Sequence, residues 1–255
     1  MKKNEIYVIK LWSNVLLDHW GVDRNVIENV VYAINYLKSI DIKVIIVSSW
    51  AVALWMKKLW KRIIKWLDFI ESEQVFSSVW QTGLINIYSE YFSKYWIEVS
   101  QALLTRKDFL DWERYECMKK VLVSSLWELI IPIINENDVL SQEELTFSDN
   151  DELSALVAKM VWASKLIILS NIDWLLDDFP NWNLIKEVNI IDKNILSMVW
   201  DEKSSCWKWW MKSKLLIAKQ MMDLWINMHL ANWKKKWVIE KISNSEQEWT
   251  LFIKK

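Results

Sequence analysis

Glycine is almost missing from this chain of 255 residues: there are 2, where average usage is about 7%. Cysteine is as scarce. Cys117 and Cys206 form no metal-ligand spacing and have nothing near them to suggest secretion, so a reduced cytoplasm is the expected compartment. No apolar run approaches the roughly 20 residues that a membrane span requires. Met1–Glu5 runs straight into a short strand pattern, without the long apolar region of a signal peptide. The net charge is −1, which gives no electrostatic case for nucleic acid or an anionic membrane as partner. No repeat, disordered linker or low-complexity tract interrupts the sequence. His19 and His229 lie far apart with no catalytic pattern around either, and a structural role is expected of both.

Against these absences stand 21 tryptophans. The hydrophobic content of 53% is ample for the core of one large domain or a compact two-lobed one. Tryptophan and glycine together make up roughly 9% of the chain, an ordinary share for glycine alone. The positions say more than the total. Trp50 sits between a buried strand and Ala51-Val52-Ala53, where a chain reversal needs a small residue. Trp225 follows an apolar helix pattern at the position where glycine is preferred for its left-handed backbone. Trp182 occupies a Pro180-Asn181-Trp182-Asn183 turn, and Trp209-Trp210 stand just before a helix. Indoles there would be strained and exposed. Most of these tryptophans therefore read as sites where the cell places glycine, through a UGA codon that the organism reads as glycine. The other explanation, a tryptophan-rich surface that stacks on sugars or lipid headgroups, would gather indoles on one face and not at turns throughout the chain.

The hydrophobic pattern alternates strands with helices. Ile6–Ile9, Lys43–Val47, Val99–Leu104, Ile130–Ile134 and Lys165–Ser170 are apolar runs of strand length without polar alternation, as in strands buried on both faces. Between them, Val26, Ile27, Val30, Ala33, Ile34 and Leu37 recur at helical spacing. Helices are also expected over about Ser72–Lys94, Glu113–Leu126, Asp151–Val161 and Lys214–Leu224. The methionines Met221 and Met222 read as helix packing. Asn227–Leu230 and Val238–Ile242 are expected as short strands, and Trp249–Ile253 as an edge strand. Such alternation argues for a mainly parallel sheet with right-handed crossovers.

The polar residues gather where that sheet would place a site. The central strand breaks into Asn135-Glu136-Asn137-Asp138, and Asp149-Asn150-Asp151 opens the next helix. In open α/β sheets the ligand crevice lies beyond the carboxyl ends of the strands. Lys10 follows the first strand in Lys10-Leu11-Trp12-Ser13, a turn suited to phosphate if residue 12 is glycine. Ser48-Ser49-Trp50-Ala51 puts two hydroxyls at another strand end. Taken with Val79-Trp80-Gln81, Leu103–Arg106 and Trp207–Lys214, these segments resemble the amino-acid kinase family, and within it the branch that phosphorylates glutamate. The similarity runs along nearly the whole chain once the tryptophans are read as glycines.

The resemblance implies a three-layer αβα sandwich with a mainly parallel central sheet. It implies phosphoryl transfer from ATP to the side-chain carboxylate of L-glutamate, giving glutamyl 5-phosphate for proline biosynthesis. By matching position, Lys10 and Lys214 would neutralise the transferring group and Asp151 would hold them. Ser49, Asp138 and Asn150 would bind glutamate, with Asp138 on the α-ammonium group. Ser170 and Asn171 would contact the nucleotide, with Lys208, Trp209, Trp210, Met211, Lys212, Ser213 and Lys214 as the loop over the phosphates. Mg²⁺ would arrive with ATP, and no metal-binding residue is assigned. Residues 1–160 would form the glutamate lobe and 161–255 the ATP lobe of one kinase domain, without the C-terminal RNA-modification-type module of many relatives. A homodimer or homotetramer is implied, with no nucleic acid or membrane partner. The sequence departs from the family at Asn171, often aspartate, at Ser148, usually glycine, and at Lys208, where threonine is common. Two further readings stay open: a kinase for N-acetylglutamate or aspartate, and a non-catalytic amino-acid-binding regulator on the same fold.

Overall fold

The computed structural model describes residues 5–11, 17–18, 21–22, 24–48, 69–140, 150–170, 175, 183–197, 205–246 and 248–255. In chain order its elements are β1 (Ile6–Leu11), β2 (Leu17–Asp18), β3 (Gly21–Val22), α1 (Arg24–Ser39), β4 (Lys43–Ser48), α2 (Phe69–Ser93), β5 (Val99–Leu104), α3 (Lys107–Leu110) and α4 (Trp112–Trp127). After them come β6 (Ile131–Glu136), α5 (Asn150–Met160), β7 (Lys165–Ser170), β8 (Glu187–Val188), α6 (Lys193–Ser197), α7 (Ser205–Asp223), β9 (Asn227–Asn232), α8 (Val238–Ser243) and β10 (Thr250–Phe252).

Eight of the described strands form one sheet in the order β5-β6-β4-β1-β7-β9-β10-β8. From β5 to β9 every pairing is parallel, while β10 runs antiparallel to β9 and parallel to β8. The continuous apolar runs follow from burial on both faces. Tyr7, Ile9, Val44, Ile46, Ile167 and Leu169 pack with α1, α2 and α8. Their alternates Val8, Ile45, Val47, Leu166 and Ile168 pack with α4, α5 and α7, where Met221 and Met222 also lie. Each such side chain contributes about 1.5–3 kcal/mol when fully buried. The layers are therefore helix, sheet, helix, as expected.

Three segments differ from the sequence expectation. Val238–Ser243 is a helix, with Val238, Ile239 and Ile242 buried on one side; five residues rich in β-branched side chains do not distinguish a strand from a helical turn. β10 is no edge strand, because β8 covers its outer side. The helix expected to begin near Lys214 begins at Ser205, so residues 208–214 are helical and not a loop. The residue type explains this last difference. Each glycine inside a helix costs about 1 kcal/mol relative to alanine, and tryptophan costs less, so indoles at 207, 209 and 210 favour the added turns.

Several tryptophans occupy backbone conformations that suit glycine. Trp96, Trp162, Trp225 and Trp237 have φ between 51° and 61°. Trp96, Trp162 and Trp225 each end a helix in the same way. The amide of Trp225 donates to Met222 O and that of Ile226 to Met221 O, and the pairs at 96–97 and 162–163 repeat this pattern. Trp96 is 94% exposed, and Trp162 and Trp225 are both 67% exposed.

Candidate active site

Strand alternation turns Lys10 toward the α4–α5–α7 side of the sheet, in register with Val47 and Ile168. There α5 lies across β1, β4, β6 and β7 and packs against α7. Asp151 stands in the first turn of α5, where the helix dipole favours a carboxylate. Lys214 comes from the middle of α7. Lys10 Nζ is 2.5 Å from Asp151 Oδ1, and Lys214 Nζ donates to Oδ2. The three side chains are at most 1% exposed. Burial pushes the Asp151 carboxyl up, but the two ammonium groups beside it outweigh that and hold it at about 2. Two cations against one carboxylate leave the cluster net positive. Desolvating three charges is expensive and adds little net stability, so such a group at the end of a parallel sheet points to anion chemistry.

A second polar group surrounds the ends of β4 and β6. Asn150 Nδ2 donates to Asn135 Oδ1 at 3.1 Å and to Ser48 O at 3.4 Å, while Asn150 Oδ1 is buried without a hydrogen-bond partner among the described residues. Asn135 Oδ1 also accepts from the Glu136 amide at 2.9 Å. Asp138 follows β6 and accepts from Ser77 Oγ at 2.9 Å. Gln81 Nε2 donates to Glu136 O at 3.4 Å, and Ser48 Oγ shares a 3.5 Å hydrogen bond with Tyr88 Oη. Burial pushes the Tyr88 hydroxyl well up, partly opposed by that bond, so it stays protonated. Arg106, just past β5, pairs with Glu152 of α5 at 2.8 Å.

The fold thus brings Lys10, Asp151, Lys214 and Asn150 together at the carboxyl edge of the sheet. It sets Asp138 at the end of β6 and the buried Ser170 at the end of β7. Met211, Lys212 and Ser213 lie on α7, with Met211 packed against the core and Lys212 exposed. Lys208, Trp209 and Trp210 lie in the first turns of α7, and only their backbone is described. Ser49, Asn171, Asp149, Trp12 and Trp50 fall outside the described residues. Sequence reasoning named Gln81 only within a family-like segment, without a role, and missed Ser77 and Tyr88 as neighbours of the site. Their signal was present as polar atoms at helical spacing on the inner face of α2. Among the described residues no three His, Cys, Asp or Glu side chains converge as a metal site, and no helix is long and apolar enough to cross a membrane.

The chain is 33% identical over 251 residues to glutamate 5-kinase of Chlorobaculum tepidum, covering 96% of this chain and 68% of that protein. It is 36% identical over 253 residues to glutamate 5-kinase of Clostridium acetobutylicum, covering 97% and 94%. The carbamate kinase of Giardia lamblia, solved bound to AMP-PNP, superposes with a TM-score of 0.70 at 15% identity over the whole of both chains, a likeness of fold. The amino acid kinase family matches residues 5–205, and the chain belongs to that family.

Proposed function

We infer that the chain transfers the terminal phosphoryl group of ATP to the side-chain carboxylate of L-glutamate, making glutamyl 5-phosphate, the first step of proline biosynthesis. The observation that carries this reading is the buried Lys10–Asp151–Lys214 cluster at the carboxyl edge of the sheet. It is joined by Asn150 and Asp138 and by high-coverage similarity to proteins named glutamate 5-kinase. Phosphoryl transfer asks little covalent chemistry of the protein; it asks that two anions be brought together and the charge on the equatorial oxygens be balanced. Lys10 and Lys214 supply that balance at fixed positions, and Asp151 keeps both from turning away.

Asp138 is assigned to the α-ammonium group of glutamate. Asn150, whose Oδ1 is a buried acceptor without a partner among the described residues, and Ser49 complete the amino-acid site. Ser170, Asn171 and residues 208–214 are assigned to the nucleotide. This division gives a glutamate lobe up to about residue 160 and an ATP lobe beyond it, in a homo-oligomer of the cytoplasm. The donor set suits Mg²⁺ carried on the nucleotide, because that ion keeps waters and phosphate oxygens as ligands and asks for no protein cage.

The working form carries glycine at 12, 50, 209 and 210, where backbone must approach phosphate or substrate. The glycine-like φ values at four other tryptophans support this. UGG codons at these positions would contradict it. An Asp138→Ala variant is expected to raise KM for glutamate at least tenfold while KM for ATP changes less than threefold, because the charge pair to the ammonium is lost. Equal changes in the two constants in steady-state kinetics would count against the assignment.

A further inference from the structure

We propose that Tyr88 is a positioning residue for the amino-acid site, acting through Ser48 on Asn150. The inference rests on the glutamate-kinase reading, in which Asn150 meets the amino acid. Ser48 is the last residue of β4 and makes two connections of different kinds. Its carbonyl accepts from Asn150 Nδ2 of α5 at 3.4 Å, and its hydroxyl shares a 3.5 Å hydrogen bond with Tyr88 Oη of α2. These groups join the two helix layers across the edge of the sheet. The strand ladder holds Ser48 on one flank only. It is in register with Leu11 of β1, whereas the pairing with β6 covers Ile46 and Val47 and stops there. The carbonyl that receives Asn150 therefore belongs to a half-held strand end, and the Tyr88 bond adds a second hold through the side chain.

The oxygen of Tyr88 is not needed for packing. Its ring lies in the core beside Phe92, with centroids 6.3 Å apart, and a phenylalanine would fill the same place. The residue is fully buried, and burying a hydroxyl costs free energy unless it is hydrogen-bonded. Ser48 Oγ is its one hydrogen-bond partner among the described residues. Ser48 is fully buried as well, and the bond to Tyr88 is the one its hydroxyl makes among them. Each hydroxyl thus satisfies the other. Beyond Ser48, the Asn150 amide is shared with Asn135 Oδ1 at 3.1 Å, which leaves Asn150 Oδ1 as the buried acceptor for substrate. An acceptor held in place before the amino acid arrives loses less freedom on binding. Tyr88 lies in the helix layer across the sheet from Lys10, Asp151 and Lys214, so the benefit falls on amino-acid affinity and not on the phosphoryl step.

The test uses the whole 255-residue chain with glycine at 12, 50, 209 and 210, and compares it with Tyr88→Phe, Ser48→Ala and the double variant. ADP release gives the kinetic constants, and thermal unfolding gives Tm. Each single variant is expected to raise KM for glutamate about three- to fivefold, since a neutral hydrogen bond is lost and felt at one remove. KM for ATP and kcat should stay within twofold. Each single variant also strands one buried hydroxyl and should lower Tm by about 2–6 °C. The double variant removes both hydroxyls and should recover Tm to within about 2 °C, while its glutamate KM stays as high as in the single variants. An unchanged glutamate KM in Tyr88→Phe would overturn the role of Tyr88. So would a glutamate KM that returns with Tm in the double variant, because the effect would then be one of stability alone. Absence of glutamate-dependent turnover before Tyr88 is altered would instead overturn the kinase reading, and the Tyr88 inference would fall with it.

Discussion

At the scale of single residues, two buried ionisable groups set how the molecule answers to pH and substitution. Asp151 is held at about 2, below an ordinary aspartate, by Lys10 and Lys214. The folded state therefore releases that proton more readily than the unfolded chain. The stability this contributes is complete above about pH 4 and is lost as pH falls toward 2. Asp151→Asn should leave two buried ammonium groups without a counter-charge, costing about 3–5 kcal/mol of stability. In addition it should cost at least a hundredfold in kcat, measured on the fraction still folded. A variant that keeps both would remove Asp151 from the machinery. His229 is the opposite kind of group. Burial, with Lys165 nearby, holds it down at about 3, and neither ring nitrogen has a hydrogen-bond partner among the described residues. It is neutral in the fold and takes up a proton only on unfolding, so its stability is present above about pH 6.5 and is lost as pH falls toward 3. His229→Leu should flatten the fall of Tm between about pH 6.5 and 5. An unchanged slope in calorimetry would show that His229 does not govern it.

At the scale of elements, the parallel strands and the first five long helices were legible because burial on both faces leaves long apolar runs and amphipathic periods. What was not legible had local causes. α8 is too short for its period to show, and the tryptophan- and lysine-rich residues before Lys214, expected as a loop, continue α7 back to Ser205. Three helix ends hold a tryptophan in the left-handed backbone region. A non-glycine residue in the left-handed region costs about 1–2 kcal/mol. Trp96→Gly and Trp162→Gly should therefore each stabilise the fold by about 1 kcal/mol, read as a higher denaturant midpoint at unchanged slope. Trp225→Gly should gain less, because Lys254 Nζ lies 5.1 Å from that indole and a cation–π contact is worth about 0.5–1 kcal/mol. Destabilisation by Trp96→Gly, the most exposed of the three, would contradict the reading of these sites.

At the scale of the whole molecule, the site is a meeting of distant segments, and that decides what the sequence could reveal. Lys10, Asp151 and Lys214 lie far apart along the chain, yet each stands in a segment that resembles the kinase family, so all three were named before the fold was known. Ser77 carries no such mark; its partner is 61 residues away, and only the packing of α2 against the sheet edge joins them. On the proposed reading, backbone amides at 12, 50, 209 and 210 close on phosphate and substrate, and an indole at those positions would block the approach. The most direct test is to make the chain twice, once with tryptophan and once with glycine at 12, 50, 209 and 210, and to measure glutamate-dependent ADP release from ATP. The account predicts turnover by the glycine form and none by the tryptophan form; equal activity of the two, or no glutamate dependence in either, would contradict it.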